Sequence, residues 1–333
     1  MGWKGTLRSV RATYRQAERD AQRRQRELER QRKEYERMQE LERAAYEVDV
    51  HENRIQLLLS VHKERSPPLD WNAMAAAPEP TEPERQSVAE QAARKELEDY
   101  QPGLLDRAMK REQKKRSWLA EEVEKAIQID QAKHRAALRS WRDEHQDWKE
   151  SRDLATRILA TEPDAMLEAI EKLSPFSDIS ELGARLTFEI GDSRAVEATL
   201  HVHGDEVVPK EAKSLLKSGR LSVKQMPKSK FYELYQDYVC SCVLRVANEL
   251  FAILPVELVF VTAVDRLLNT KTGHLEETPI LSVAVSRETL SGLNLELIDP
   301  SDSLENFVHR MDFKKTKGFA GVRRLVPEDL GEG

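Results

Sequence analysis

The chain has 333 residues, 34% of them charged and 39% hydrophobic, and a formal net charge of −6. Soluble domains average about 25% charged residues, so core-forming residues are diluted here. No stretch approaches 18 consecutive apolar residues, which excludes a transmembrane helix on length. Met1 to Val10 lacks the apolar core and small-residue cleavage site of a secretory signal, so a cytoplasmic protein with no membrane association is expected.

From Thr6 to Ser66 the chain contains neither Gly nor Pro, and the same holds from Leu104 to Glu162. Turns require such residues, so both windows predict long uninterrupted helices. In the first (1–65), Tyr14, Ala17, Ala21, Leu28, Tyr35 and Met38 follow one heptad frame, interrupted by Arg24 and Gln31. Its end turns apolar at Ile55, Leu57, Leu58, Leu59 and Val61, which must be buried against something.

Residues 66–103 form an acidic connection punctuated by Pro67, Pro68, Pro78, Pro80, Pro83 and Pro102, with a short helix expected over Glu84 to Tyr100. The second long helix (104–162) carries Leu119, Val123, Ala126, Ala137 and Trp141 at heptad spacing, broken by Asp130 and Lys133. Two helices of similar length joined in this way predict a long antiparallel α-helical coiled-coil hairpin. Pairing of each helix with its copy in a second subunit is the alternative.

Residues 163–333 are built differently. All eight Phe and ten of the 13 Gly lie there, whereas all five Trp precede residue 150. Leu186 to Ile190 and Ala198 to His203 alternate at period two around Gly191-Asp192-Ser193, a hairpin pattern. Leu221 to Lys224 is a third short strand. An amphipathic helix follows over Lys228 to Leu254, then two strongly apolar strands, Val256 to Val264 and Ile280 to Val285. Ser286 is read as a helix N-cap, and Asp299-Pro300-Ser301-Asp302 opens another helix running to about Met311. The region is therefore an α+β domain with a mainly antiparallel sheet. Cys240 and Cys242, two apart on a helix, point roughly 200° from each other and read as buried packing residues rather than a disulfide or a metal pair.

Three constellations bear on function. His201-Val202-His203-Gly204-Asp205 places both imidazoles and a carboxylate on one side of a strand; it resembles the opening of the His-x-His-x-Asp-His motif of metallo-β-lactamase-like hydrolases, with Glu206 where the final His stands. That resemblance implies a divalent metal on His201, His203 and Asp205, against the plain reading of a hairpin's solvent face; otherwise no cofactor is expected. Glu211-Ala212-Lys213 resembles the acid-x-Lys signature of restriction-endonuclease-like nucleases, but Pro209 is expected to leave it in a loop or helix start. Lys210, Lys213, Lys217, Arg220, Lys224, Lys228 and Lys230 are offset only by Glu211, a track suited to the phosphates of a nucleic acid or simply a solvated basic face.

Half the chain is spent on long helices that supply reach but no pocket. The expectation is a non-enzymatic interaction or scaffold protein with a C-terminal docking or sensing domain, working with a protein partner or as a homodimer through the helices. A nucleic-acid-binding protein or nuclease subunit, and a metal-dependent hydrolase, are the alternatives.

Overall fold

The computed structural model describes residues 30–32, 40–103, 111–173, 176, 184–191 and 195–330. In chain order these form α1 (Glu40–Ser60) with a 3-10 turn (Val61–Lys63), α2 (Trp71–Ala75), α3 (Val88–Glu98), α4 (Glu112–Leu159), α5 (Pro163–Leu173), β1 (Arg185–Ile190) and β2 (Val196–His201). There follow α6 (Gly204–Val207), β3 (Glu211–Leu215), β4 (Leu221–Gln225), α7 (Lys228–Ile253), β5 (Leu258–Asn269) and β6 (His274–Ser286). The chain closes with α8 (Arg287–Gly292), α9 (Pro300–Ser303), β7 (Val308–Lys314) and β8 (Gly318–Ala320). Two compact units result: a helical unit described over Asn72–Ala155, and a sheet unit described over residues 40–71 and 156–330.

In the helical unit, the unpunctuated sequence gives the 48-residue α4, about 70 Å long at 1.5 Å per residue. The proline-rich connection runs antiparallel along it. The Trp148 indole N–H donates to the Ala77 carbonyl (2.9 Å), and that of Trp141 to the Pro80 carbonyl (3.0 Å). His145, stacked between the two indoles at centroid distances of 5.3 and 5.5 Å, meets the Glu79 carboxylate at 2.8 Å. Further along, the Glu90 N–H donates to Asp130 (2.8 Å), and Arg116 lies over the Tyr100 ring.

Asp130 thus has a reason to interrupt the heptads. Glu90 stands in the first turn of α3, where backbone N–H groups have no partner within the helix, and the Ser87 hydroxyl at the N-cap accepts from the Gln91 amide rather than from a backbone N–H. The carboxylate of Asp130, buried at 2% exposure, caps α3 from the neighbouring helix.

The heptad residues Tyr14 to Met38 of the first segment lie outside the described residues. What is described of that segment, α1, packs on α7 and on the β3–β4 ribbon, while α4 is lined by the strap of residues 77–100. These arrangements stand where the heptads predicted a coiled-coil hairpin. Heptad spacing fixes that a helix has an apolar stripe, not which surface covers it.

α4 ends in a Schellman motif: the Glu162 N–H bonds the Arg157 carbonyl and the Thr161 N–H that of Ile158. Thr161 occupies the left-handed position (φ 58°) that usually takes Gly, and Pro163 then opens α5.

Six of the described strands of this unit form its main sheet, in the order β1-β2-β5-β6-β7-β8, antiparallel except for β2 with β5. The sheet is therefore mixed. A parallel pair needs a long crossover, here supplied by the ribbon and α7 between β2 and β5. α7 is apolar nearly all round and is buried from Leu234 to Ile253 save for a few positions, the core helix of the unit. Val259, Val261 and Ala263 of β5 are fully buried on one face. On the other, Phe260 and Ala284 are covered by Leu325 and Leu330 of the C-terminal tail, and the Leu325 N–H donates to Ser282 (2.9 Å).

The residues after α1 clasp α7. Both the His62 N–H and its ring Nδ1 meet the Ser241 hydroxyl (3.0 and 2.8 Å). The Ser66 N–H donates to Glu249 (2.9 Å), the Leu69 N–H to the Ala252 carbonyl (2.8 Å), and the Trp71 indole to the Ile253 carbonyl. Glu249, fully buried, also lies 3.1 Å from Arg245. Cys240 and Cys242 are free and fully buried, and burial pushes the Cys242 thiol up to about 12.

Ser286 caps α8, accepting from the Thr289 N–H. Asp299 caps α9, accepting from the N–H groups of Ser301 and Asp302, but the expected helix to Met311 stops at Ser303. A 3-10 turn over Leu304–Asn306 leads into β7, of which Val308 to Met311 pair with β6 and Asp312 to Lys314 with β8. The cap was correctly placed; Leu304, Phe307, Val308 and Met311 do repeat at helical spacing, but pairing with β6 draws the last two into the sheet.

Candidate functional site

The face of α1 that carries Glu47, Val50, His51 and Arg54 repeats at helical spacing, so these side chains point one way. Opposite them lies the segment from Glu206 to Lys213, and between the two walls is a cleft of about 530 Å³. One ion pair and one charge-assisted hydrogen bond cross the gap. Lys213, on β3, holds the Glu47 carboxylate at 2.8 Å. Arg54 donates to the Val207 carbonyl at 2.9 Å, taking up an end group of the one-turn α6. Burial, with the Lys213 charge beside it, lowers the His51 pKa, which keeps the imidazole neutral at neutral pH. The cleft therefore fixes the ribbon against α1. None of its α1 residues was singled out from the sequence, although the apolar run at Ile55, Leu57, Leu58, Leu59 and Val61 required a partner for this end of the helix; of these Leu58 is fully buried, and Ala44 and Val48 further up are buried too.

The basic residues fall into three groups. Lys213 is half-buried in the Glu47 pair. Lys210 lines the cleft at the base of the ribbon. Lys217 and Arg220 stand at the ribbon's tip, Lys224 on β4, and Lys228 and Lys230 in the first turn of α7, all five exposed. Glu211 and Lys213 lie on β3, a strand of a two-stranded ribbon, where a loop or helix start was expected after Pro209.

His201 ends β2 and approaches Glu277 at 3.3 Å. Leu200 and Val202 enter the core, as the alternation required. His203 has left the strand and serves as the N-cap residue of α6. The side chain of Asp205 lies outside the described residues. Among the described residues, no three His, Cys, Asp or Glu side chains gather into a group able to hold a metal, and no helix is long and apolar enough to cross a membrane.

A second polar cluster went unnoticed in the sequence. Asp237 sits on α7 between the tyrosines at 235 and 238, and burial pushes its carboxyl up to about 6 against a hydrogen bond from Ser301. The charges of Asp299, Glu233 and Asp302 add to the rise. Its signal was an acid next to the run of apolar residues that begins at Tyr238 of this helix. No family model, curated protein or solved structure matches the chain, so the function must be argued from these arrangements alone.

Proposed function

We propose that the protein is a non-enzymatic interaction protein that works in a larger assembly or as a homodimer, with α4 as the partner-binding element and the sheet unit as the docking module. One observation carries this reading. On α4, Trp118 and Ile129 are 44% and 49% exposed. Eleven residues apart, they lie on the same face, because three helical turns take 10.8 residues. The Glu122–Lys125 ion pair (2.7 Å) sits between them, and Lys115 lies 3.9 Å over the Trp118 ring. An aromatic and a branched aliphatic side chain on one line of the helix, with a charge pair between them, offer a protein partner two apolar anchors and a point of charge recognition.

The test is sedimentation equilibrium of the wild type and of Trp118→Glu with Ile129→Glu. Wild-type self-association that the double variant weakens at least tenfold supports the reading. A wild type that stays monomeric at every concentration removes the homodimer. Crosslinking through Trp118→Cys in a native extract then decides the larger assembly: absence of any adduct overturns the proposal.

A further inference from the structure

The β3–β4 ribbon has two unlike faces. Residues directly opposite in the register share a face, so Glu211, Lys213 and Leu215 stand with Gln225, Val223 and Leu221, and Lys213 turns that face to Glu47 of α1. The alternate face carries Ala212 and Ser214 opposite Lys224 and Ser222. It has two facing hydroxyls, one exposed lysine, and no acid. Beyond it, the Leu216–Arg220 turn, closed by the Leu216 N–H to Arg220 carbonyl bond (2.9 Å) and by Gly219 at φ 79°, presents Lys217 and Arg220. At the other end, the Met226 N–H to Lys210 carbonyl bond (2.8 Å) joins the ribbon to α7, whose first turn holds Lys228 and Lys230 and no acidic residue.

We propose that this face of the ribbon docks on the phosphate backbone of double-stranded nucleic acid, with Lys217, Arg220, Lys224, Lys228 and Lys230 as the phosphate contacts and Ser214 and Ser222 as hydroxyl donors. Lys224 on this face and Lys217 and Arg220 in the turn at its end are exposed with no acid among them, and Lys228 and Lys230 add exposed charge at its base, which matches a polyanion. A two-stranded ribbon is one of the two elements that the major groove, about 12 Å wide, admits. The strand from Arg220 to Lys224 spans about 13 Å at 3.3 Å per residue. No aromatic residue stands on the face, so base stacking contributes nothing and a duplex is favoured over a single strand. Contacts of this kind position a protein without reading sequence. The exposed Leu215 and Val223 lie on the opposite face; Leu216, exposed in the turn beside Lys217, is a single apolar side chain rather than the apolar surface of a membrane-binding ribbon. Lys213 takes no part, because Glu47 holds it.

The experiment is fluorescence anisotropy of a labelled 20-base-pair duplex at about 50 and 200 mM salt. The full-length wild type is compared with a Lys217→Glu, Arg220→Glu, Lys224→Glu triple variant and with Lys213→Gln. Five phosphate contacts give a slope of log affinity against log salt of about −4.5. The triple variant loses at least tenfold in affinity at the lower salt and its slope becomes shallower by about 3, whereas Lys213→Gln binds as the wild type does. Should the triple variant fail to fold by circular dichroism, Lys217→Gln and Lys224→Gln singly each make the slope shallower by about 1. No binding at low salt, an unchanged slope in the variants, or equal loss in Lys213→Gln overturns the proposal. Capture by phosphatidylserine vesicles in the absence of duplex binding overturns it in favour of a lipid surface.

Discussion

Two helices of this protein are strapped by consecutive stretches of one chain segment, using the same kinds of contact in different surroundings. On α7, residues 62–71 bind through a histidine, a carboxylate and a tryptophan indole, all buried: His62 is 1% exposed, Glu249 0% and Trp71 4%. On α4, residues 77–90 also bind through indoles, a histidine and a carboxylate, but Glu79 keeps 63% of its side-chain surface in water. A hydrogen bond contributes about 0.5–1.5 kcal/mol net, but a buried polar group left without its partner costs more than that bond was worth. The buried clasp should therefore be brittle, and the strap tolerant at its exposed contacts.

The largest effect is expected at Glu249. Its carboxylate accepts from the Ser66 N–H and neutralises Arg245, itself buried. Glu249→Ala leaves the buried guanidinium with the half-exposed Glu64 carboxylate, 3.8 Å away, and the Ser66 N–H without its acceptor, and should cost about 3 kcal/mol in urea unfolding. A loss below about 1 kcal/mol would mean that the clasp is open in solution, and the contrast between the two straps would disappear.

Asp237 tests whether burial on α7 also works against the fold. Its folded pKa is raised from 3.8 to about 6, so the native state favours the protonated carboxyl. The resulting penalty is absent below pH 3.8, grows between pH 3.8 and 6, and is complete above. Asp237→Asn should accordingly stabilise the protein at pH 7, on the order of 1–2 kcal/mol after allowance for its partial solvent access, and leave it unchanged at pH 3.5. Unfolding curves at the two pH values check this. His62 has the opposite dependence: burial lowers its pKa below 6.5, so stability is lost as pH falls through 6.5.

How much of this was legible in the sequence follows from the range over which each signal acts. α7, β5 and β6 were read correctly because their apolar runs are local, and Ser286 because a cap is settled within four residues. β3 was missed: Glu-Ala-Lys-Ser-Leu has weak strand propensity and exists as a strand through pairing with β4. The basic residues were visible as a group, but the removal of Lys213 from it depends on Glu47, 166 positions away. The Pro-rich segment read as a connection because its bonds to Trp141 and Trp148 span 61 and 71 residues and leave no periodic trace.

Trp148→Phe probes the strap directly. Trp148 is 7% exposed and its indole holds the Ala77 carbonyl. Phe fills most of the ring volume but removes the donor, so a loss of about 1 kcal/mol is expected. Amide hydrogen exchange should show it as faster exchange over residues 79–91, with the protection of α7 unchanged. Equal loosening of α7 would show that the two straps unfold as one.

The smallest effect belongs to Glu79→Gln. The Glu79 carboxylate lies 2.8 Å from His145 Nε2, the same distance as the His62–Ser241 contact of the buried clasp, so distance alone predicts a substantial loss. Exposure predicts otherwise: water solvates either group once the other is gone, and exposed ion pairs contribute about 0–1 kcal/mol. The amide also retains an acceptor for the imidazole. The expected change is below about 0.5 kcal/mol and should shrink further in 1 M salt, where charges are screened beyond about 3 Å. A loss above about 1.5 kcal/mol, unaffected by salt, would place Glu79 with Glu249 and make contact geometry, rather than burial, the property that separates the two straps.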